Sequence, residues 1–325
     1  ESRASGFHLA RLREESKKNL DDVHVPKLHM KSKSITNLNF SDSLDIQFLK
    51  FVRPQIKFYQ KENPLKINIQ DLNEFDLYSL IQKDLLKIEI DTFLLTDAGM
   101  EIYRQPDKEK YQHKFNSVNI LLHGFLLDST SAQNQNKLLH ADDLEMAVSD
   151  YHLRLEDNQH DFRADSMFVS TFTESLGAKD IKILPADDDN IQSRILVNIK
   201  GEALELEKVN LKKLYHTRIL PSSKIKILNP EVSMTYHTEK EKSKNQKEAG
   251  LLFDMVSAYL RGVYADLVYL ENGILNIENR YNNTVQGYFE THFSFGLNDF
   301  SLDSASVQRT DKFFYATDFN LRFSE

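Results

Sequence analysis

The chain has 325 residues, 40% hydrophobic and 28% charged, which is long enough to bury a large core and too apolar for a wholly disordered chain. A net charge of −8 without a long Lys/Arg block argues against a phosphate-tracking surface, so no nucleic-acid partner is expected. The absence of cysteine removes disulfides, thiolate metal sites and cysteine nucleophiles in one step.

In chain order, Phe7–Asp22 carries a thin helical stripe of Phe7, Leu9, Leu12 and Leu20 among charges and reads as an N-terminal helical segment spanning residues 1–22. Alternation then takes over: Val23-x-Val25, Leu28-x-Met30 and Leu44-x-Ile46-x-Phe48 lead into Val52–Phe58. There Pro54 marks a register break, since proline cannot donate to a sheet ladder. Leu72–Leu86 switches to a helical period, with Phe75, Tyr78, Ile81 and Leu85 on one face. Strands resume at Ile88-x-Ile90 and Phe93-x-Leu95, and Asp97-Ala98-Gly99 has the chemistry of a tight turn. Val118–Leu127, Leu144–Val148, Tyr151–Leu155, Phe162–Val169 and Ala178–Leu184 complete the first half. The acidic stretch Ala186–Asn190 reads as a loop. The second half runs through Ile195–Leu206, a short helical piece at Leu211–His216, Ile225–Val232, the charged linker Glu239–Glu248 and a helix at Leu251–Val263. It closes with the strands Leu267–Ile277, Phe289–Leu297 and Phe319–Phe323.

The chain repeats itself. Phe125–Asp150 lies without a gap on Phe300–Glu325, with identities that include Phe125/Phe300, Leu127/Leu302, Asp128/Asp303, Ser131/Ser306, Ala141/Ala316 and Asp143/Asp318. Gly99 and Gly273 align at a shift of 174, which lays Leu77–Leu86 on Leu251–Leu260 and sets Ile90/Tyr264, Phe93/Leu267 and Leu95/Tyr269 together. Pro54 and Pro230 match at 176. One unit is thus about 175 residues: strands broken at a proline, one short helix, then five or six strands. We expect a first unit over 23–185 and a second, truncated one over 186–325, as one continuous elongated domain. The chain begins at Glu1 and stops at Glu325 inside a strand-like pattern, so we read it as a piece of something longer. For that reason the lack of an opening signal peptide, or of an apolar run of about 20 residues, says little about location.

Period-two alternation gives each strand one apolar and one solvated side. The apolar side either packs on a second sheet, as in a sandwich, or lines a long antiparallel sheet curled into a gutter. Recurrence of the unit and its single helix favour the gutter. The fold expected is therefore mainly β, an elongated antiparallel sheet curled into a groove from two repeats, each with one short helix.

The strand phrases Ile88–Ile102, Val118–Ser129 and His140–Val148, with their second copies Asp266–Ile277, Phe293–Ser304 and Tyr315–Phe323, resemble the repeats of the AsmA-like, TamB-related family of Gram-negative envelope proteins. That family belongs to the bridge-like lipid-transfer proteins built from repeating β-grooves. The resemblance covers most of Leu28–Glu325. It implies a periplasmic β-gutter, anchored in the inner membrane through a segment outside this chain, that holds or moves phospholipid acyl chains. It brings no catalytic signature.

Nor do the residues supply one. The His residues, including His113, His123, His140, His152 and His160, lack metal-site spacing, and Asp187-Asp188-Asp189-Asn190 lacks that of a calcium loop. The recurring Asp128/Asp303 and Asp143/Asp318 stand at turns and strand edges, where Asp caps backbone groups. The sequons at Asn39 and Asn282 are taken as chance. No metal, cofactor or catalytic residue is expected. The expected groove lining is Leu122, Phe125, Leu127, Met146, Val148, Phe293, Phe295, Leu297, Phe319, Leu321 and Phe323, whose continuous apolar surface is all that an acyl chain needs. The competing reading is a structural β-sandwich repeat module of the cell surface with a filled core and no lipid.

Overall fold

A computed structural model describes residues 2–10, 20–34, 42–60, 78, 82–104, 111–131, 137–155, 160–185, 195–237, 253, 256–257, 259–282, 284–306 and 315–324. Among the described residues the chain is mainly β, and fifteen strands belong to one mixed sheet. It clusters into two compact units, Glu1–Tyr151 with Phe168–Glu174, and His152–Met167 with Ser175–Glu325.

The first unit holds β1 (Ser2–Ala10), β2 (Leu20–Ser34), β3 (Ser43–Val52), β4 (Gln55–Gln60), β5 (Lys87–Arg104), β6 (Tyr111–Leu127) and most of β7 (Asp143–Arg154). β8 (His160–Ser170) follows. The second unit holds β9 (Ser175–Pro185), β10 (Ile195–Glu207), the helix α1 (Leu211–Thr217), β11 (Ile219–Leu228), β12 (Glu231–His237), β13 (Gly262–Tyr281), β14 (Thr284–Asp303) and β15 (Asp318–Ser324). Helix α1 starts at Asn210, whose side chain accepts the Lys213 N–H, and ends at Arg218 in the left-handed conformation.

Of the helical segment expected over residues 1–22, residues 2–10 are instead β1, antiparallel to β2 with Phe7 across from Val25 and Leu9 across from Val23, and residues 20–22 already belong to β2. Phe7 and Leu9 are two apart, so the same residues satisfy a strand period, and a pairing partner decides the outcome. β9 takes the corresponding place beside β10. The acidic stretch expected to open the second unit therefore falls between β9 and β10, two strands of that unit. Ala186–Asn190 and Glu239–Glu248 lie outside the described residues.

The two units share one strand plan. Ile88 faces Leu127 as Val263 faces Leu302; Ile90 faces Phe125 as Ala265 faces Phe300; Phe93 faces Leu122 as Val268 faces Leu297. These pairs stand 175 residues apart, so the shift of 174 read from the two glycines is one residue short. A one-residue slip puts every side chain on the wrong face. Ile90 is buried and corresponds to buried Ala265, whereas Tyr264 is exposed. The structural partner of Gly273 is Ala98, and that of Gly99 is Ile274.

The sheet is not antiparallel throughout. β5 runs parallel to β3 and β4, and β13 runs parallel to β11 and β12. Each of these parallel seams follows a crossover connection, as parallel pairing requires. β3 and β4 form one line broken at Arg53-Pro54, and β11 and β12 one line broken at Asn229-Pro230. Both prolines are fully buried. The residue before each has positive φ, 51° at Arg53 and 47° at Asn229. Arg53 N–H donates to Thr96 O (2.8 Å) and Gly99 N–H to Pro54 O (2.9 Å); Asn229 N–H donates to Glu271 O (2.9 Å) and Ile274 N–H to Pro230 O (2.8 Å). The break thus lies inside the sheet, and proline fits there because its missing donor is the one the break leaves unused.

Asp97-Ala98-Gly99 is not a chain reversal. It lies within β5 as a bulge, with Asp97 at φ 51° and register shifts on both sides of Ala98. Asn272 at φ 54° bulges β13 in the same place. Of the repeat helices expected at Leu72–Leu86 and Leu251–Val263, the first is helical at Tyr78, which accepts the Gln82 N–H, but residues 82–86 are already turn and coil, while in the second Phe253, Val256 and Ser257 are helical and Val256 accepts the Leu260 N–H. The second stops short of Val263, which is already in β13. Most of the rest lies outside the described residues.

Candidate functional site

In the second unit, strand register stacks alternating residues into rows that cross the sheet. One row runs Leu176, Leu206, Ile225, Val268, Leu297, Phe319; the next runs Ala178, Leu204, Ile227, Leu270, Phe295, Leu321. A third, shorter row places Gly273, Phe293 and Phe323 side by side. Every residue in these rows is apolar, and all lie on one face. The intervening residues make the other face polar: Glu207–Lys224–Leu267–Asn298–Asp318 and Glu205–Lys226–Tyr269–Gly296–Asn320. Lys224 pairs with Glu207 at 3.3 Å, and Lys226 with Glu271 at 2.7 Å. The hydrogen bond to Glu271 raises the Lys226 pKa. The sheet of this unit is therefore amphipathic, with charge confined to one side.

Exposure grades along the apolar rows. Leu206, Val268, Leu297 and Phe293 are buried and Phe295 is half-buried, whereas on β15 Phe319 is 44%, Leu321 39% and Phe323 61% exposed. Phe295 and Phe319 meet as tilted rings 6.4 Å apart. All six lining residues expected here are brought together as three cross-strand pairs: Phe293/Phe323, Phe295/Leu321 and Leu297/Phe319.

The first unit builds the same rows, with Leu28, Phe51, Leu95 and Ile120 in one and Met30, Leu49, Phe93 and Leu122 in the other. Here the expected lining is packed. Leu122, Leu127 and Val148 are buried, and Phe125 and Met146 pack against the cluster of Leu122, Ala141 and Leu144. The positive φ of Gly124, 63°, shifts the alternation between Leu122 and Phe125. The rows also include residues absent from the expected lining, among them Leu206, Ile225, Val268 and Leu270. Each sits in an alternating phrase, but only the strand order shows that they continue the face of β14.

The repeated aspartates serve turns. Asp128 N–H donates to Ser131 Oγ (2.7 Å) while its carboxylate accepts from Thr130 N–H and Thr130 Oγ1 (both 2.8 Å). Asp303 N–H donates to Ser306 Oγ (2.7 Å), and Ser306 N–H donates back to Asp303 Oδ1 (2.6 Å). Hydrogen bonds from Thr130, reinforced by Ser131, hold the Asp128 carboxyl below its ordinary range against the small cost of burial. At Asp303 burial pushes upward, but donors from Tyr264, Ser306 and Ala305 outweigh it. Asp143 accepts from Thr171 Oγ1 at 3.4 Å, and Asp318 accepts from Phe319 N–H at 2.8 Å. None of these aspartates faces a second carboxylate in a cleft.

Of the histidines that cluster in the sequence, His140 and His152 have different partners. His140 stacks edge-on against Phe125, a contact that Tyr315 and Phe300 repeat in the second unit. His152 lies 3.4 Å from the buried carboxylate of Asp161, which Arg163 also approaches at 3.4 Å. Among the described residues no group of three or more His, Asp or Glu side chains is placed to hold a metal ion. Among the same residues no helix is long and apolar enough to cross a membrane.

No family model matches this chain, and no curated protein does. Two solved structures show faint likeness. One, titled a sex pheromone staph-cAM373 precursor, is 8% identical, with 98% of this chain and 86% of that chain covered and a TM-score of 0.19. The other, a sex pheromone precursor from Lactobacillus salivarius, is 9% identical over 88% of this chain and 67% of that one, with a TM-score of 0.16. Likeness at that level carries no argument about fold or function.

Proposed function

We propose that the apolar face of the sheet, most openly in the second unit, holds the acyl chains of phospholipid, and that the protein is a non-enzymatic lipid-handling element of a bacterial envelope. The observation that carries this reading is the pair of uninterrupted apolar rows across β9, β10, β11, β13, β14 and β15 with all charge on the opposite face. An acyl chain needs continuous apolar surface and no directional contact, and each buried CH₂ contributes about 0.8 kcal/mol. The likeness of the strand phrases to AsmA-like repeats supports a β-groove in the periplasm, tethered to the inner membrane through regions outside this chain. No cofactor, metal or nucleic acid enters this function.

A second reading is favoured by the burial of Leu206, Val268 and Leu297, which have little surface left to offer. On that account the face is a filled core and the protein a structural repeat module. Mass spectrometry of gently purified protein separates the two. Phospholipid in stoichiometric amount, and uptake of a fluorescent phospholipid by delipidated protein, support the groove. Protein that purifies lipid-free and takes up no probe is the filled-core module.

A further inference from the structure

A recess of about 190 Å³ opens beside the proline break of the first unit, lined by Gln55, Lys57, Gly99, Glu101, Phe115 and Asn116. It draws on β4, β5 and β6. Register sets Gln55 beside Gly99 and Lys57 beside Glu101, so these four alternate residues share one face. Gly99 has no side chain to fill the space, and a Cβ there would stand 2.3 Å from Gln55 Oε1. Lys57 Nζ lies 3.5 Å from the Glu101 carboxylate. Gln55 and Asn116 are exposed, so the recess is reached from solvent.

The second unit is built on the same plan and closes this place. Glu231 and Ser233, first and third after Pro230, hold the positions of Gln55 and Lys57. They stand beside Ile274 and Asn276, where the first unit has Gly99 and Glu101. Ile274 is half-buried, and Glu231 pairs with Lys200 at 3.3 Å. Asn276 Nδ2 donates to Ser233 Oγ at 3.4 Å, a neutral contact in place of the ion pair. One copy thus fills the position with a branched side chain. The other combines an unfilled floor with a cation, an anion and two amides.

We propose that this recess binds a small zwitterion of the α-amino acid class, its carboxylate on Lys57 and its ammonium group on Glu101. A partly exposed ion pair contributes little by itself, so exchanging each partner for the opposite group of a ligand costs little. The Gln55 and Asn116 amides can each donate to a carboxylate oxygen or accept from an ammonium group. The volume lies below the roughly 300–1,000 Å³ of sites for drug-sized ligands, which restricts the guest to a small molecule. The inference does not depend on lipid binding, since Gln55, Lys57, Gly99 and Glu101 stand outside the apolar rows.

The test titrates the whole chain with L-alanine and follows backbone and side-chain amides by NMR. Saturable shifts are expected at Gln55, Gly99 and Asn116. Propionate or ethylamine, each carrying one of the two charges, should bind about tenfold more weakly or less. Gly99→Ile gives the first unit the second unit's residue and should abolish the shifts, with circular dichroism reporting that the variant is folded. Lys57→Ser combined with Glu101→Asn, at partly exposed sites, leaves the recess open without its charges and should abolish them too. The proposal is overturned if the parent chain shows no saturable shift, or if L-alanine, propionate and ethylamine bind equally. It also falls if either folded variant responds as the parent does.

Discussion

Gly273 lies directly across from Phe293 in the β13–β14 ladder, and a Cβ on the glycine would stand 2.5 Å from the ring's Cε1. The same place in the first unit is held by Ala98 across from Val118, with Ala98 wholly buried. One unit pairs a methyl with a small branched side chain, and the other pairs no side chain with a large ring. Gly273→Ala alone should destabilise by about 1–3 kcal/mol, because the ring must leave its rotamer. Phe293→Val alone should cost about 2 kcal/mol through the void it leaves. The double variant recreates the first unit's pair and should recover much of both losses, a coupling of about 0.5–3 kcal/mol in a urea-unfolding cycle. Additive losses would show that the two positions are not compensating.

Ser306 is buried at the turn after β14, where its hydroxyl accepts the Asp303 N–H. Ser306→Ala leaves that donor without its partner and should cost about 1–3 kcal/mol. Ser131→Ala should cost a similar amount, since Ser131 Oγ takes the Asp128 N–H and also donates to Leu126 O at 3.1 Å. Thermal unfolding of the two single variants checks both, and unequal losses would break the equivalence of the turns.

The same turns set an acid limit. The carboxyls of Asp128 and Asp303 titrate below their ordinary value of 3.8 in the folded chain, through the hydrogen bonds they accept. Unfolded, they return to that value and bind protons more readily. Their contribution to stability is therefore complete above about pH 4 and is lost as pH falls through the lower folded values. Melting temperature against pH between 2 and 6 should drop less steeply in Asp303→Asn than in the parent. A parallel drop would remove Asp303 from the account.

Arg53 and Asn229 occupy one position in two copies, both at positive φ. Asparagine adopts that region at a lower cost than arginine. Arg53→Asn should raise stability by up to about 1 kcal/mol, and Asn229→Arg should lower it similarly. Chemical unfolding of each variant decides the matter.

Buried and exposed members of the apolar rows should part company. Leu297→Ala should cost about 2–5 kcal/mol of stability. Phe323→Ser, at an exposed site, should stay within about 0.5 kcal/mol. If the face holds lipid, Phe323→Ser should nonetheless reduce uptake of fluorescent phospholipid. A wild-type level of uptake would move the lipid-contacting surface away from β15.

Much of the fold is legible in the residues. Alternation identifies nearly every strand, and Phe125–Asp150 against Phe300–Glu325 gives the right repeat length. What fails is relational. Gly99 and Gly273 look alike, yet they serve neighbouring positions, because a bulge needs one residue at positive φ and tolerates several residue types beside it. Asp97-Ala98-Gly99 carries turn chemistry, and a bulge uses that chemistry without reversing the chain. Parallel seams leave no mark in alternation, since a parallel and an antiparallel strand have the same period. For the site, Phe293, Phe295 and Leu297 were readable as one face, but the rows reaching back to Leu206 follow only from strand order.

The parallel seams also bear on the order in which each unit assembles. The β5–β6 hairpin closes over a few residues, from Arg104 to Tyr111, whereas β3 meets β5 only after the long stretch between Val52 and Lys87 has been brought together. Closing the longer loop costs more chain entropy, and contacts of greater sequence separation form more slowly. In each unit, then, the local hairpins come first and the proline-marked seam joins them last. On a ribosome, the first half of a unit must wait with its edge unpaired until the second half has emerged.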